Sequence, residues 1–461
     1  MKKLLTAVAV LSVLGGAACA QTSAPKEAAN PAANQAVNIE QFSAKVLTTG
    51  LQAPWDMQFG DDGYLWVTER EGKQLTRVNV QDGSKKVVVK IDEIFTGSQH
   101  EGLLGFTFDP DFAQNHYLYT AYTYKDNGRE HAKIIRLTYD PATQTAGNPV
   151  TLMEKLPADD DHNGGRVRFA ADGKLHYTIG ENGRNQGTHL YQQNKAQYLP
   201  TAEQIANKDY SLYLGKTLRM NKDGSIPADN PVINGVKSHI FTYGHRNPQG
   251  LVVVNGRLFS SEQGPSSDDE INILQAGGNY GWPHVAGFVD NQAYAYINHS
   301  KSKQRPKDGE VTDVKPQKET DWKGKQVNPL KTFFTVREGY NFTDPACSTS
   351  TYICWPTISP ASINYYPENG KNAYWRNSLI VSSLKNGALY VLPLNSAKDN
   401  VQGDVRVYLH SQNRYRNAVP NADGSKIYVA TDVRGNVIGK EGKVTDKLEN
   451  PGSILEFTIA Q

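Results

Sequence analysis

The chain contains little cysteine and little excess charge. Only three of its 461 residues are cysteines, and only Cys347 and Cys354 lie beyond residue 20. Two cysteines alone make a poor structural zinc site. Lys and Arg total 49 against 47 Asp and Glu, and the totals become equal without Lys2 and Lys3 of the leader described below. Because nucleic-acid binding needs a net basic surface, this balance argues against a nucleic-acid partner.

Several catalytic motifs are also absent. No Gly-x-Gly-x-x-Gly follows a predicted strand, which argues against a nicotinamide or flavin Rossmann site. Gly435–Lys440 is one residue short of a P-loop, and His100-Glu101 lacks the second histidine of a zincin helix. The chain has no Gly-x-Ser-x-Gly elbow and no Cys-x-x-Cys-His haem motif, so electrons from any redox reaction would leave to an external partner.

The N-terminus has the pattern of an export signal. Lys2-Lys3, the apolar run Leu4–Leu14 and Ala18-Cys19-Ala20 predict a signal peptide over residues 1–20. The apolar run is too short to span a bilayer, and no later segment is apolar enough, so we expect a protein that is not transmembrane. A periplasmic or secreted location follows. Lipoprotein anchoring through Cys19 is the less favoured alternative, because Gly16 is a poor residue three positions earlier.

Two further features follow from export. Residues 21–38 are rich in Ala, Asn, Pro and Gln and predict a flexible tether before the domain 39–461. In an oxidising compartment, Cys347 and Cys354 are expected to form a disulfide that closes a small loop.

A strand-forming pattern recurs six times. A turn leads into an apolar strand at Gly63–Glu69, His116–Tyr122, Gly173–Ile179, Gly256–Glu262, Asn377–Ser383 and Gly424–Ala430. A second strand follows each copy, at Gln74–Asn79, Lys133–Thr138, Lys216–Met220, Glu270–Leu274, Ala388–Leu392 and Ser453–Thr458. This repetition predicts an all-β fold, a six-bladed β-propeller of four-stranded antiparallel blades, with an ordinary β-sandwich as the alternative.

Two intervals between copies are long, from 179 to 256 and from 262 to 377. Long loops in a compact domain are usually functional, and insertions in a propeller map to one face. We therefore expect long insertion loops on the active-site face and place the chemistry in residues 180–255 and 263–376.

The loop that ends at Asp161-His162 carries a candidate general base. A histidine among acids in a Gly-rich loop can be held by a carboxylate, although a solvated acidic turn is the alternative. Glu181 and Gln186, just past the next strand, supply a carboxylate and an amide at the same rim.

Two tight loops could bind oxygen ligands of opposite kinds. Arg246 and Asn247 can present a planar fork and an amide to anionic oxygen, or form a surface ion pair. Gly264-Pro265 exposes backbone carbonyls beside acids, which suits Ca²⁺, although the segment is equally an acidic capped turn.

The remaining candidates are aromatic and cationic. Tyr352 and Trp355 lie on the loop that the disulfide would close and can stack on a flat ligand or pack in the core. Lys385, Arg414 and Arg416 can converge with Arg246 on a polyanionic small molecule, or be scattered surface charges.

Together these segments resemble the soluble, periplasmic glucose (aldose) dehydrogenases that depend on pyrroloquinoline quinone (PQQ). The resemblance extends from about residue 40 to the C-terminus. It rests on Leu103–Phe106, Asp161-His162, Tyr177–Gly180, Gly183–Gln186, Gly224–Pro227, Gly244–Gly250, Glu262–Pro265, Asp268–Asn272, Gly277–Pro283, Thr351–Thr357, Asn413–Arg416 and Leu448–Ser453.

The resemblance implies a single PQQ-binding propeller domain that oxidises D-glucose and other aldoses at the anomeric carbon to the lactone. It implies PQQ and Ca²⁺ as cofactors, an external electron acceptor and a homodimer. His162 would take the proton of the anomeric hydroxyl, Glu181 would orient His162, and Arg246 would stabilise negative charge on the quinone. Asp161 and Gln186 would bind the sugar.

The resemblance also assigns residues to the cofactors. Tyr352 and Trp355 would form the aromatic surround of PQQ and line the sugar site. The polar groups of the cofactor would be bound by His100, Asn247, Thr357, Lys385, Arg414 and Arg416. Gly264 and Pro265 would bind the Ca²⁺ that contacts PQQ, a Lewis acid, and a structural Ca²⁺ region would comprise Glu270, Tyr280, Ala286, Phe288, Asp290 and Glu319.

Three positions differ from the family pattern. Glu181 replaces an expected Asp, and Phe288 replaces a more frequent Tyr. His100 falls where the family has Gln, with Gln99 one residue earlier, so either side chain would face the cofactor.

Two other functions remain as alternatives. A Ca²⁺-dependent propeller hydrolase, such as a lactonase, would have carboxylates at its channel mouth and no group of cations. A non-catalytic sugar-binding propeller would not need the Asp161-His162 pair.

Overall fold

The computed structural model describes residues 42–305, 313–343, 351–439 and 442–459, and strands dominate these ranges. They form six four-stranded antiparallel sheets and two short ribbons. The first strands of successive sheets contact one another, and the first strand of the last sheet contacts that of the first. The sheets are therefore six blades around a central axis, which confirms the predicted propeller.

The blades are numbered along the chain, and each begins with its innermost strand. Blade 1 has Pro54–Phe59, Tyr64–Glu69, Gln74–Asn79 and Lys85–Lys90; blade 2 has Leu103–Phe108, Tyr117–Asp126, Arg129–Asp140 and Thr145–Pro157; blade 3 has Val167–Phe169, Leu175–Ile179, Lys216–Met220 and Ile240–Tyr243. Blade 4 has Pro248–Val254, Arg257–Glu262, Asp269–Leu274 and Lys331–Phe333; blade 5 has Pro360–Tyr366, Ser378–Ser383, Leu389–Pro393 and Arg406–Tyr408; blade 6 has Tyr415–Pro420, Lys426–Thr431, Ile454–Ile459 and Phe42–Thr48.

Both ends of the described chain lie in blade 6. The first strand, Phe42–Thr48, is the outermost strand of that blade and pairs antiparallel with the last strand, Ile454–Ile459. This pairing closes the ring and satisfies one edge of the Ile454–Ile459 strand, which would otherwise be unpaired.

Apolar clusters fill the six interfaces between neighbouring blades. The cluster between blades 2 and 3 includes Tyr119 and Tyr177, and the cluster between blades 4 and 5 includes Phe259 and Tyr390. Each blade is thus covered on both faces by its neighbours. This explains why the second strands are almost continuously buried, polar residues included, and why several third strands are too.

A buried ion-pair network joins the blades near the axis. The guanidinium of Arg166, just before blade 3, binds the Asp56 carboxylate of blade 1 and donates to the carbonyl oxygens of Gln249 in blade 4 and Ala361 in blade 5. Asp56 also accepts from one residue each of blades 2, 3 and 6, namely Phe106, Arg168 and Asn417. We call Asp56, Arg166, Arg168 and Asn417 the axial network.

The antiparallel order fixes which loops share a face. Connections between second and third strands, and connections from one blade to the next, emerge at the same end of the propeller, called here the upper face. The loop segments 91–102, 158–166, 180–215, 263–268, 334–343, 351–359, 384–388, 432–439 and 442–453 belong to it. Every predicted catalytic and cofactor-binding residue lies in these loops, in the short connections that precede blades 4 and 6, or at the start of a blade strand.

The insertions do not all start at the upper face. The connections from third to fourth strands in blades 3 and 4, described over residues 221–239, 275–305 and 313–330, therefore emerge at the opposite end. The segment after residue 275 nevertheless returns, because Tyr243 N donates to Gly278 O and Trp282 N donates to Gly244 O. The predicted active region 180–255 thus includes residues 221–239, which topology places away from the upper face.

Helices are short. The α-helices are Phe112–Asn115, Ala202–Ala206 and Thr351–Cys354, and the 3₁₀ turns are Gly187–His189, His299–Lys301 and Glu319–Asp321. Ribbons pair Val232–Ile233 with Val236–Lys237 and Val437–Ile438 with Val444–Thr445. In the described ranges, no helix is long and apolar enough to cross a bilayer. The predicted signal peptide 1–20, the tether 21–38 and Cys347 lie outside the described residues, so these predictions and the disulfide stay predictions.

Candidate active site

The side chain of His162 is buried at the upper face and is contacted on one side by Glu181 and Gln186. His162 Nδ1 lies 3.1 Å from Glu181 Oε1 and 2.8 Å from Gln186 Nε2. Glu181 follows the second strand of blade 3 and is fully buried. Because the carboxylate accepts the Nδ1 proton, Nε2 is the ring nitrogen left to accept a proton from a ligand.

Backbone geometry brings three loops together here. His162 has φ 43°, in the left-handed region that a non-glycine residue adopts only when its surroundings impose it. A Cβ at Gly180 would lie 2.0 Å from the His162 carbonyl oxygen, so only glycine allows this approach. Glu181 N donates to Arg246 O at 2.9 Å. The base, its carboxylate partner and Arg246 are therefore held by the backbone as well as by side chains.

Asp161 lies between two imidazoles. Its Oδ1 is 3.4 Å from His162 Nε2 and 3.3 Å from His100 Nε2. The two rings are 6.0 Å apart between centroids. Burial raises the pKa of Asp161, but His162, His100 and Arg246 outweigh burial and hold the pKa below its ordinary value. The residue is therefore an anion at neutral pH. Of Gln99 and His100, it is His100 that the structure places beside the candidate base.

The guanidinium of Arg246 faces the same space. It donates from one NH₂ group to Gln186 Oε1 at 2.7 Å and from the other to Gln263 O at 3.1 Å, and it lies 5.5 Å from the Trp282 ring. Its backbone N–H donates to the buried Glu262 carboxylate, whose other oxygen is 2.8 Å from His245 Nδ1. Gln186 thus links the base to the cation.

Three arginines, of which Arg70 and Arg416 are buried and Arg414 is half-buried, surround one carboxylate at blades 1 and 6. Arg70, Arg414, Arg416 and Asp432 form what we call the cationic cluster. Arg416 binds Asp432 at 2.5 Å, and Arg414 donates to Asn436 O at 2.6 Å. Burial raises the pKa of Asp432, but Arg416, Arg70 and Arg414 hold it well below its usual range. One carboxylate facing three cations leaves a net positive charge in this part of the upper face.

Lys385 extends the positive region into blade 5. Its Nζ donates to Thr357 Oγ1 at 2.8 Å and to the Trp355 carbonyl oxygen. Burial lowers the pKa of Lys385 to about 7, and the nearby Asp269 opposes the shift. Asp269 accepts from Gly264 N at 2.8 Å and from Ile358 N at 2.6 Å. This carboxylate therefore joins the Gly264-Pro265 loop to the loop that carries Thr357.

A narrow cavity connects Arg246 with the predicted metal ligands. It is lined by Arg246, Glu262, Gln263, Gly264, Pro265, Asp268, Glu270, Tyr280, Trp282, Val285 and Ala286. Among the described residues, no backbone N–H outside the strands donates to the carbonyl oxygen of Gly264 or Pro265. The Tyr280 hydroxyl is already used, because it donates to Ile273 O at 2.6 Å and accepts from Gln275 N at 2.9 Å.

Buried carboxylates crowd this cavity. Burial, followed by the charge of Glu262, raises the pKa of Glu270 well above its ordinary value. Burial raises the pKa of Asp268 to about 6 and that of Glu319 to about 7, with the charge of Asp290 adding to both. Like charges held this close disfavour ionisation, and a divalent cation would relieve the repulsion.

The structural Ca²⁺ candidates form one folded loop. Glu319 accepts from Ala286 N at 3.1 Å, Asp290 N at 3.1 Å and Asn291 N at 2.8 Å. Phe288 is 37% exposed in the same loop. In the part of the chain that the structure describes, the side chains whose potential metal-ligand atoms all lie within 4.8 Å of one another are those of Asp159, Asp160 and His189. These three residues were not among the predicted ligands.

The structure therefore brings most predicted residues into one region. His162, Glu181, Gln186, Arg246, Asn247 and Gln263 are joined by direct hydrogen bonds, in which Gln186 Nε2 donates to Glu181 Oε1 at 3.2 Å and Asn247 Nδ2 donates to Gln263 Oε1 at 3.0 Å. Tyr352 lies near Arg414, since its hydroxyl accepts from Asn436 Nδ2 at 3.4 Å, and it is 49% exposed at the rim.

Sequence reasoning missed Arg70 and Asp432 as functional candidates, and it gave no individual role to Glu262, Asp268 and Asp269, the acids beside the Gly264-Pro265 turn. A signal for two of them was present. Arg70 and Asp432 directly follow the second strands of blades 1 and 6, the blade position that Glu181 and Lys385 approach in blades 3 and 5. Comparing equivalent positions of the repeat would have found them.

Comparison with known proteins places the chain among relatives with named activities. Residues 51–312 match the family model described as Glucose / Sorbosone dehydrogenase. The chain is 46% identical over 437 residues to quinoprotein glucose dehydrogenase B of Acinetobacter calcoaceticus, covering 91% of each. It is 28% identical to aldose sugar dehydrogenase YliI of Escherichia coli, covering 87% of this chain and 91% of the relative.

Solved structures agree on the architecture. The PQQ-bound aldose sugar dehydrogenase of Streptomyces coelicolor aligns with a TM-score of 0.62 at 25% identity, covering 91% of this chain and 99% of that one. The apo-form of the soluble aldose sugar dehydrogenase of Escherichia coli aligns with a TM-score of 0.65 at 24% identity, covering 91% of this chain and all of that one.

Proposed function

The chain belongs to the Glucose / Sorbosone dehydrogenase family, and we propose that it is a quinoprotein that oxidises D-glucose and other aldoses at the anomeric carbon to the lactone. The observation that carries the proposal is the placement of three groups on one face of the propeller. They are the carboxylate-held imidazole of His162, the guanidinium of Arg246, whose Nε has no hydrogen-bond partner among the described residues, and the cationic cluster. The 46% identity to a quinoprotein glucose dehydrogenase supports the same reading.

The donor groups fit PQQ. This cofactor carries three carboxylates and an ortho-quinone, so it needs several cations and a flat slot. In the described ranges, Arg246, Arg414 and Arg416 each keep a buried Nε without a hydrogen-bond partner, which suits additional anionic acceptors. The polar groups that would hold PQQ are those of His100, Asn247, Thr357, Lys385, Arg414 and Arg416, with Tyr352 and Trp355 as the aromatic surround.

Bound PQQ would supply the acceptor for the two electrons and the hydrogen removed from the sugar carbon. His162 Nε2 takes the hydroxyl proton, and Glu181 holds the ring in the orientation that exposes this nitrogen. Asp161 and Gln186 bind sugar hydroxyls, which positions the reacting carbon. Arg246 supplies preorganised positive charge where negative charge develops. The longer Glu181 reaches His162 at 3.1 Å, so it replaces the expected Asp without losing the contact.

Calcium would occupy the narrow cavity and the loop behind it. The Gly264 and Pro265 carbonyl oxygens are hard ligands on the cavity wall, and a Ca²⁺ there would act as a Lewis acid beside Arg246. A structural Ca²⁺ would be held by Glu270, Asp290, Glu319 and the backbone near Tyr280, Ala286 and Phe288. The raised pKa values of Glu270 and Glu319 fit a site whose charge a metal neutralises.

The remaining parts of the proposal concern the whole protein. Export through the 1–20 signal, cleavage before Gln21 and a periplasmic or secreted location follow from the N-terminal pattern. A homodimer, the disulfide between Cys347 and Cys354 and an external electron acceptor are proposed from the family resemblance.

The two alternative functions fit the geometry less well. A lactonase-type hydrolase does not require the cationic cluster, in which three arginines surround one carboxylate. A sugar-binding propeller has no use for a buried imidazole held by a carboxylate.

Reconstitution tests the proposal. Purified apoprotein is mixed with PQQ and Ca²⁺, and reduction of an artificial electron acceptor is followed with glucose. We expect turnover only when both additions are present, together with a change in PQQ absorbance. Sugar binding without dye reduction, or lactone hydrolysis without PQQ, would overturn the proposed reaction in favour of one of the alternatives.

A further inference from the structure

His100, Asp161 and His162 form a line from a buried nitrogen to solvent. The side chain of His162 is 8% exposed, whereas those of Asp161 and His100 are 35% and 31% exposed. The nitrogen and oxygen atoms along the line are separated by 3.4 Å and 3.3 Å. These separations are slightly longer than ideal hydrogen bonds and can shorten when a substrate binds.

Hydrogen bonds between loops hold the line in place. Asn163 Nδ2 donates to His100 O at 3.0 Å and to Asp159 O at 2.6 Å. Ser98 Oγ donates to Asp160 O at 2.6 Å, and His100 N donates to Ser98 Oγ at 3.0 Å. The loop of His100 and the loop of Asp161 are thereby joined at two points, and the other two bonds lie one within each loop. His100 is therefore positioned by the fold rather than by chance contact.

The surroundings of His100 keep its imidazole neutral, which is the form that can take up a proton. It faces Asp161 and His162 of the adjoining loop, Arg416 of blade 6 and Arg70 of blade 1. Burial lowers the pKa of His100 to about 4; Asp161 opposes the shift, and His162, Arg416 and Arg70 add to it. A neutral imidazole can accept a proton on one nitrogen and release another from the opposite nitrogen, without retaining charge.

We propose that His100, acting through Asp161, carries the substrate proton from His162 to solvent. The inference rests on the proposed dehydrogenase function. His162 Nε2–H gives its proton to Asp161 Oδ1, Asp161 gives it to His100 Nε2, and His100 Nδ1–H releases a proton to water. No electrons move in these steps, and each N–H or O–H bond that breaks is matched by one that forms. These steps restore His162 for the next sugar, and His100 returns to its starting tautomer by exchanging its ring protons with water.

The test separates proton release from sugar oxidation. Holoenzyme in weak buffer with a pH indicator is mixed rapidly with glucose, and cofactor absorbance and indicator absorbance are recorded together. In the unmodified protein we expect both signals to change at the same rate. In His100→Ala and His100→Gln, we expect proton release to lag, slower by about 10²-fold, the size of typical proton-transfer effects.

Chemical rescue distinguishes transfer from structural damage. Added imidazole should restore the rate in His100→Ala, which leaves space for it, and not in His100→Gln. His189→Gln is the matched control, because His189 Nε2 also contacts an acid of this loop, Asp160 Oδ1 at 2.7 Å, yet lies off the line. Prompt release in His100→Ala, or a lag that imidazole does not change, would overturn the relay. Absence of sugar oxidation in the unmodified holoenzyme would overturn the proposed function itself.

Discussion

At the scale of single residues, the candidate site depends on charges that are removed from water and paired. Glu181 is buried against His162, and Asp432 is buried among arginines. Burying an unpaired charge is costly, so each group keeps its partner in place. The same pairing that stabilises the loops thereby orients the groups that would react.

Replacing the candidate base should abolish turnover without abolishing cofactor binding. For His162→Gln we expect kcat to fall by about 10²- to 10⁴-fold, the usual contribution of general-base catalysis. Binding of PQQ should change little, because the cationic cluster is untouched. Steady-state dye reduction and a PQQ titration measure the two effects, with His131→Gln as a distant control. Unchanged kcat would remove His162 from the mechanism.

Metal removal should destabilise the loop of Glu319. Under the proposed function, bound Ca²⁺ would relieve the repulsion among Glu270, Asp290 and Glu319 at pH 7, so we expect its addition to raise Tm and chelation to lower it. Saturation at 100-fold above Kd adds about 2.7 kcal/mol to unfolding. Glu319→Gln should lose most of this Ca²⁺-dependent shift in thermal unfolding, while the exposed control Glu368→Gln keeps it. An equal Tm with and without Ca²⁺ would contradict the metal site.

At the scale of strands and loops, the sequence predicted the elements that are covered on both faces. All six predicted strand pairs coincide with second and third strands, since these are strand-forming segments preceded by turn residues, such as Leu175–Ile179 after Gly173. The inner strands were not predicted, because Val167–Phe169 has three residues and Pro54–Phe59 begins with proline. The return of the segment after residue 275 to the upper face depends on contacts with Tyr243 and Gly244 that no local pattern encodes.

The candidate site was predictable to the extent that its residues lie in distinctive motifs. His162, Arg246 and Lys385 were predicted in this way. Arg70 and Asp432 are isolated charged residues at strand ends, and their importance appears only when blades 1 and 6 meet in the closed ring.

Ring closure by the first strand gives an element-level prediction. Removing residues 21–41 should leave activity and Tm unchanged if the predicted tether is correct. Removing residues 21–48 also deletes Phe42–Thr48 and exposes the edge of Ile454–Ile459, so we expect a large fall in Tm and increased aggregation. Thermal unfolding and light scattering of the two truncations check this. Equal stability of both would show that the pairing contributes little.

At the scale of the whole molecule, the axial network links the blades through one carboxylate. Burial raises the pKa of Asp56, but Arg166 and Arg168 outweigh burial and hold it below its ordinary value of 3.8. A lowered pKa in the folded state contributes stability above the ordinary value. That contribution is lost as pH falls through the folded-state value.

Removing this carboxylate should weaken the whole ring. Asp56→Asn leaves Arg166 and Arg168 without their anion, so we expect unfolding free energy at pH 7 to fall by about 3–5 kcal/mol. The variant should also lose part of its dependence on pH below about 4, where Asp56 titrates. Denaturant unfolding at several pH values checks both, with the exposed Asp61→Asn as control. Parallel acid curves for the two proteins would contradict the role of Asp56.

The outermost strand of blade 6 also sets the order in which the protein can be completed. Of the described strands, Phe42–Thr48 is synthesised first and its partner Ile454–Ile459 is synthesised last. Until the final residues arrive, five blades can form while the sixth stays incomplete and the ring stays open. A chain shortened into its first or its last strand therefore lacks part of the same blade.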